Sequence, residues 1–279
     1  MSSVRFWKMH GIGNDYILID NRQEAILEEE LPMLAQQTCQ RRFSIGADGL
    51  LLLSTSKLAD VRMRIFNSDG SEAEMCGNGI RCLAKYCYDS GVIKKQAFVI
   101  DTLSGLKQVW LTIRDGKAVS VRTDMGQPLF QREEIPMRGD GRCINEPITV
   151  DEYDLQMTCL SVGNPHCVIF VEAVDEFPVQ RIGSQIEHHK LFPNRVNVEF
   201  VQMVNSGEMR VRVWERGVGE TLACGTGACA AAVASNLLGR SSDEILVHLL
   251  GGDLTIKYAE SILMTGPAEK VFEGILSVR

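Results

Sequence analysis

The stretch AEMCGNGIRC at residues 73–82 and the stretch LACGTGACAA at residues 222–231 each place one cysteine directly before a Gly-x-Gly. Setting Cys76 on Cys224 also sets Glu72 on Glu220, Gly77 on Gly225 and Gly79 on Gly227 without a gap. Nearly the same offset brings Gly13-Asn14-Asp15 onto Gly163-Asn164-Pro165, and an apolar strand-like run follows each (YILID, CVIFVE). A chain that repeats its turns and its strands together is expected to fold as two similar halves. The join is expected near DMGQPLFQREEIP, where Gly and Pro interrupt the alternation. This gives an N-terminal half over 1–126, completed by a strand at 268–279, and a C-terminal half over 127–267. No low-complexity linker marks the join, so the halves are expected to pack tightly.

Period-two alternation marks VRFWKMH, YILID, VRMRIF and VWLTIRDGKAVSVR as strands, with Asp115-Gly116 turning the last into a hairpin. Helical spacing appears in EELPMLAQQTCQRR through Leu31, Leu34, Ala35 and Thr38. It appears again in GIRCLAKYCYDSG through Ile80, Leu83, Ala84 and Cys87, stopped by Gly91. The second half repeats the mixture: VNVEFVQMVNSGEMRVRVW and ILVHLLGGDLTIKY read as hairpins, PVQRIGSQIEHH and GACAAAVASNLLG as helices. Few segments read as strand-helix-strand crossovers. An α+β fold of two pseudo-symmetric halves is therefore expected, each a mixed, mostly antiparallel, barrel-like sheet around a central helix, rather than a doubly wound sheet.

Composition narrows the function classes. With 279 residues, 45% of them hydrophobic, the chain can bury a large core. A net charge of -7, with no basic run longer than Arg41-Arg42 or Lys94-Lys95, argues against a nucleic-acid partner. The start MSSVRFWKMHGIGND lacks an apolar leader segment, and no window approaches the roughly 18 apolar residues that span a bilayer. A cytoplasmic protein with no membrane partner is expected. Nine cysteines scattered among apolar neighbours read as reduced thiols.

In each repeated loop a strand-like run ends, the cysteine follows, and Gly-x-Gly opens an apolar-striped helix. Each cysteine thus sits at a helix N-terminus, where unpaired N–H groups and the positive end of the dipole favour a thiolate or a bound carboxylate. Asn78 and Thr226 add a side-chain donor beside the amides. If the halves face one cleft, two thiols oppose each other across one ligand. Inversion of a stereocentre needs that arrangement: a thiolate removes the α-proton and a thiol returns one from the other side. A cysteine pKa near about 8.5 suits both roles, and two helix ends gripping the α-carboxylate would stabilise the carbanion.

Other uses of these cysteines fit less well. The intervals Cys76 to Cys82, Cys82 to Cys87 and Cys224 to Cys229 are wrong for zinc. Cys82, Cys87 and Cys229 fall on helical stripes, as packed thiols do. A nucleophilic cysteine served by His10 or His166 would need one loop, not two. A redox switch joining Cys76 and Cys224 is expected as a route of inactivation rather than as the primary role.

KMHGIGNDYILID, FNSDGSEAEMCGNGIRC, SVGNPHCVIF, RVNVEF and WERGVGETLACGTGACAAA, spread over nearly the whole chain, together resemble the diaminopimelate epimerase family of cofactor-independent amino-acid racemases. The resemblance implies two pseudo-symmetric halves with the active site in the cleft between them. It implies conversion of LL- to meso-2,6-diaminopimelate, toward lysine and peptidoglycan precursors, by a homodimer without cofactor or metal. Carried over by position, Cys76 and Cys224 are the acid/base pair, and Gly77, Asn78, Gly225 and Thr226 grip the carboxylate. Asn14, Asn67, Asn164, Asn197, Glu215 and Arg216 match substrate-contacting positions. Some members have a glutamine contact where this chain has Gly49, so that contact is missing or replaced by a water or Asp48.

Each of these asparagines could also serve an ordinary turn beside Gly, Asp or Pro, and the motifs taken together favour the ligand. His166 is expected to play a supporting part, and His188 and His189 to be solvated. Arg216 is expected to mirror Asn67, each shortly before its cysteine. A proline or hydroxyproline racemase is the nearest alternative, but such substrates lack the second amino-acid head that Glu215, Arg216 and the amides would hold. A non-racemising isomerase relative with the same fold would not need both thiols.

Overall fold

Residues 2–23 and 26–278 are described by the computed structural model. The chain divides into two compact units, Met1–Asp124 with Gly266–Arg279, and Met125–Thr265.

The first unit runs β1 (Ser2–Gly11), β2 (Asn14–Asp20), α1 (Leu31–Thr38), β3 (Gly49–Ser54), β4 (Val61–Asn67), β5 (Glu72–Ala73), α2 (Gly77–Asp89), β6 (Ala97–Thr102), β7 (Gly105–Arg114) and β8 (Lys117–Gly126). The last strand of the chain, β18 (Glu269–Val278), returns to it. Strand β1 pairs antiparallel with both β2 and β18. Parallel pairs join β2 to β3 and β4 to β6, and antiparallel pairs join β3 to β4, β4 to β5, β6 to β7 and β7 to β8.

The second unit repeats this order with β9 (Cys143–Val150), β10 (Tyr153–Ser161), β11 (Pro165–Phe170), α3 (Val179–Glu187), β12 (Asn197–Asn205), β13 (Glu208–Glu215), β14 (Gly219–Thr221), α4 (Gly225–Leu237), β15 (Glu244–Leu249), β16 (Gly252–Tyr258) and β17 (Ile262–Gly266). Strand β10 pairs antiparallel with β9 and β11, β11 runs parallel to β12, and β13 runs parallel to β15. Antiparallel pairs complete it between β12 and β13, β13 and β14, β15 and β16, and β16 and β17. In this correspondence β18 holds the place beside β1 that β9 holds beside β10.

Antiparallel pairs outnumber parallel ones, as the alternation predicts. The expectation of few crossovers needs correction: all four α-helices among the described residues connect parallel neighbours. Two of those pairs are only two and three residues long, and β3 (GLLLLS) has no alternation to read. Its leucines are buried on both faces. Leu51 and Leu53 pack with Ile80, Leu83 and Cys87 of α2, whereas Leu50 and Leu52 pack with Leu31, Leu34 and Ala35 of α1. A strand covered on both sides reads as a continuous apolar run, and each fully shielded leucine contributes about 1.5–3 kcal/mol.

The helix stripes seen in the sequence are the buried faces. Ile80, Leu83, Ala84 and Cys87 of α2 lie among residues from β1, β2, β3, β4, β6 and β7. Helix α4 is apolar nearly all round, with Ala228, Ala230, Ala231, Val233 and Ala234 fully buried, as a helix enclosed by strands must be. The Asp115-Gly116 hairpin has both central residues at positive φ, 49° and 72°, the mirror-image turn that matches strand twist. Among the described residues no helix is long and apolar enough to cross a membrane.

Candidate active site

Strand parity decides what surrounds each repeated cysteine. Tyr16 and Leu18 of β2 share the α2 core while Ile17 and Ile19 face α1, so Asn14, at the same parity, also faces α2. Cys76 caps α2 in an extended conformation (φ -140°, ψ 124°), and its carbonyl accepts the Ile80 N–H at 2.9 Å. Its sulfur lies 2.8 Å from the Tyr16 hydroxyl and 3.6 Å from Asn14 Oδ1. Asn14 Nδ2 donates to Asp48 Oδ2 at 2.8 Å, which turns Oδ1 toward the Tyr16 hydroxyl and toward Asn78 Nδ2 at 3.1 Å. Asn78 is fixed from its other side by Arg81, whose Nη2 donates to Oδ1 at 2.8 Å. The buried Arg81 guanidinium also donates to the carbonyls of Gly77 (3.0 Å) and Pro267 (3.1 Å). Asn67 ends β4 on the surface, its Nδ2 donating to Ser71 Oγ at 3.0 Å across a turn.

In the second unit Cys224 caps α4 (φ -119°, ψ 111°) and its sulfur accepts the Gly227 N–H at 3.3 Å, with Thr226 Oγ1 at 3.4 Å. Burial pushes the Cys224 thiol well above its ordinary value, and the carboxylates of Glu215 and Glu199 add to it; Thr226 and the Gly227 amide oppose. Asn164 Oδ1 lies 2.9 Å from His166 Nε2, and His166 Nδ1 lies 2.7 Å from Glu199 Oε1. Both His166 and Glu199 are fully buried. Asn197 is held at both ends, donating to the Pro165 carbonyl at 2.8 Å and accepting the Arg216 N–H at 2.9 Å. Glu215 accepts from Thr221 Oγ1 at 2.5 Å, and the exposed Arg216 donates to the Asn194 carbonyl at 3.3 Å.

The two units match residue by residue. Tyr16 pairs with Gly49 across β2 and β3 as His166 pairs with Asn197 across β11 and β12. Phe66 pairs with Glu72, and Trp214 with Glu220. Arg64 Nε holds Glu72 at 2.6 Å, and Arg212 Nε holds Glu220 at 2.7 Å. The second glycine of each Gly-x-Gly has a packing reason: a Cβ would come within 3.1 Å of Leu51 at Gly79 and 2.7 Å of Glu199 Oε1 at Gly227. This register corrects one expectation. The residue that answers to Asn67 is Glu215, not Arg216.

A sequence profile of the family described as diaminopimelate epimerase matches residues 6–130 and 158–271. A Moorella thermoacetica protein named diaminopimelate epimerase is 52% identical over 275 residues, covering 97% of this chain and 98% of that one. The chain belongs to the diaminopimelate epimerase family.

Solved structures with the same fold lie further away in sequence. A phenazine biosynthesis protein of the PhzF family from Bacillus anthracis superposes with a TM-score of 0.74 at 18% identity, covering all of both chains. A hydroxyproline epimerase from Agrobacterium vitis gives 0.73 at 15% identity, covering 98% of this chain and 92% of that one.

Within the family pattern, sequence reading overlooked three groups that organise the site. Tyr16 touches Cys76, Glu199 backs His166 and Gly227, and Arg81 locks Asn78. The repeat carried a signal for the first: the offset that sets Asn14 on Asn164 also sets Tyr16 on His166, so both are the polar side chain two residues after a repeated asparagine. Arg81 and Glu199 gave no signal, because a charge within an apolar run reads as a solvated face until its burial is known. At Gly49 the Tyr16 ring lies beside the glycine, and the neighbouring Asp48 is engaged with Asn14. Asn14 Nδ2 donates to Asp48 Oδ2, and a Cβ at position 49 would stand 3.4 Å from the Tyr16 ring. Among the described residues no group of three or more His, Cys, Asp or Glu side chains converges as a metal site requires.

Proposed function

We infer that this protein interconverts LL- and meso-2,6-diaminopimelate, with Cys76 and Cys224 exchanging the α-proton on opposite faces of the carbon. The observation that carries this is the recurrence of one device: a cysteine as N-cap, Gly-x-Gly at the first turn, and an apolar helix behind it. An amino-acid α-proton is far less acidic than a thiol, so transfer needs the carbanion stabilised. Backbone N–H groups at Gly77, Asn78, Gly225 and Thr226 suit the reacting carboxylate, where negative charge grows. With its proton held by burial and nearby carboxylates, Cys224 suits the donor and Cys76 the acceptor in one direction, the roles reversing in the other.

Asn14, Asn67, Asn164, Asn197, Glu215 and Arg216 are assigned to the substrate's second amino-acid head: Arg216 to the carboxylate, Glu215 to the ammonium. Each asparagine engaged within the protein keeps a further N–H or lone pair for a ligand. A substrate without that head would leave such groups unpaired, at about 1–3 kcal/mol each. We read the protein as a cytoplasmic homodimer; Val271, Phe272 and Ile275 of β18, 57%, 46% and 69% exposed, are the apolar side chains a second copy would cover.

Incubation of the pure protein with LL-diaminopimelate alone, followed by chiral separation, tests the reading. Formation of the meso isomer, carrying solvent deuterium at one α-carbon in heavy water, is expected. Epimerisation of proline or hydroxyproline with no action on diaminopimelate would replace this reading with the racemase alternative.

A further inference from the structure

The two cysteines differ in what their sulfurs touch. Cys224 is served by its own helix, through the Gly227 N–H. Cys76 receives no such bond from α2, and at 2.8 Å its polar neighbour is the phenol of Tyr16. Tyr16 is 4% exposed, and its hydroxyl has a second neighbour, Asn14 Oδ1. One hydroxyl proton serves only one of them at a time. Asn14 Oδ1 does not depend on it, since Asn78 Nδ2 already donates there at 3.1 Å.

Both protonation states of Cys76 are therefore satisfied by the same heavy-atom arrangement. With a neutral thiol, S–H donates to the Tyr16 oxygen and the phenol donates to Asn14. With a thiolate, the phenol turns about its C–O bond and donates to sulfur. No atom moves beyond the hydroxyl hydrogen, and Tyr16 itself neither gains nor loses a proton. The phenol is fit for this because burial first, and then the neighbouring cysteine, hold its own ionisation well above the usual range, so it remains a donor. A Cβ at position 49, the in-register neighbour on β3, would stand 3.4 Å from Tyr16 Cε1 and 2.8 Å from the Phe66 carbonyl.

We propose that Tyr16 is the positioning residue of Cys76, a rotating donor that holds the sulfur in place and stabilises it whenever it is a thiolate. The other ionisable groups bearing on the pair are Cys82 and Arg81 on α2 and Asp48 just before β3. The proposal rests on Cys76 being a proton-transfer group, and its test separates the two ideas.

The test is Tyr16→Phe, which keeps the ring over Gly49 and removes only the hydroxyl. Cys76 is the partly exposed thiol and the other eight are buried, so the rate of iodoacetamide alkylation at Cys76, followed by peptide mass against pH, titrates it directly. The variant should raise that midpoint by about one pH unit, making Cys76 roughly tenfold less reactive at neutral pH. The acid limb of kcat/KM for diaminopimelate should move by the same amount, with KM little changed. An alkylation midpoint identical to that of the unaltered protein would overturn the proposal, whatever happens to turnover. A shifted midpoint beside an unmoved kcat/KM profile would uphold the Tyr16–Cys76 bond and overturn the catalytic role of Cys76 instead.

Discussion

The sulfur of Cys224 accepts the Gly227 backbone N–H at 3.3 Å, so this thiol is tied to its helix by the second glycine of its own motif. Replacing either repeated cysteine with alanine should leave secondary structure and cooperative unfolding intact while turnover falls by about 10²–10⁴-fold or more, the usual contribution of a positioned acid or base. Chiral analysis of the product checks this. Substantial turnover by either variant would remove the two-thiol assignment.

Glu199 lies against the same helix end, and its charge is one of the causes holding the Cys224 proton. In Glu199→Gln that charge is gone, so the Cys224 pKa should fall. The limb of the pH–rate profile belonging to Cys224 should shift to lower pH. A shift to higher pH, or none, contradicts this electrostatic account.

Burial also sets how the fold responds to alkali. The Cys39 thiol is pushed up to about 11 and Cys82 to about 12, both chiefly by desolvation. Folded-state values above the ordinary thiol value of about 8.5 mean that the unfolded chain loses its protons first. The stability these thiols contribute is complete below that value and drains away as pH rises through the window toward 11 and 12. Thermal midpoints should be flat from pH 7 to about 8.5 and fall steadily above it, with a shallower fall in Cys82→Ala. A flat profile through pH 10.5 would show that these thiols are not shielded.

Gly183 tests packing against propensity. It sits within α3, where Gly→Ala alone gains about 1 kcal/mol. A Cβ there would lie 2.7 Å from both Cβ and Cγ of Trp214, and such overpacking costs about 1–3 kcal/mol. The clash should win, leaving Gly183→Ala less stable in urea unfolding; a stabilised variant would show that the Trp214 ring gives way freely.

Much of this arrangement was legible beforehand because it is written in local rules. Leu31, Leu34, Ala35 and Thr38 face inward on α1 as their spacing says, and Cys76 and Cys224 cap helices because Gly-x-Gly and an apolar stripe follow each. What could not be read depends on contacts distant in sequence. Tyr16 is an ordinary strand residue until β2 and α2 are packed together. Glu199, inside a hairpin strand, looks like a solvent-facing charge until His166 and α4 cover it. Asn67, Asn197 and Arg216 show the opposite limit: their motifs marked them, and the described hydrogen bonds are those of turns and strand ends.

Strand β18 sits beside β1, where β9 sits beside β10 in the other unit. The half of the protein that leaves the ribosome first is therefore finished last. Until β18 is made, β1 keeps an open edge ready to bind any extended segment nearby, whereas the later unit needs no strand from beyond β17. A nascent chain halted before Gly266 should carry one protease-resistant unit and one that is still waiting, an inversion of the usual order in which domains mature.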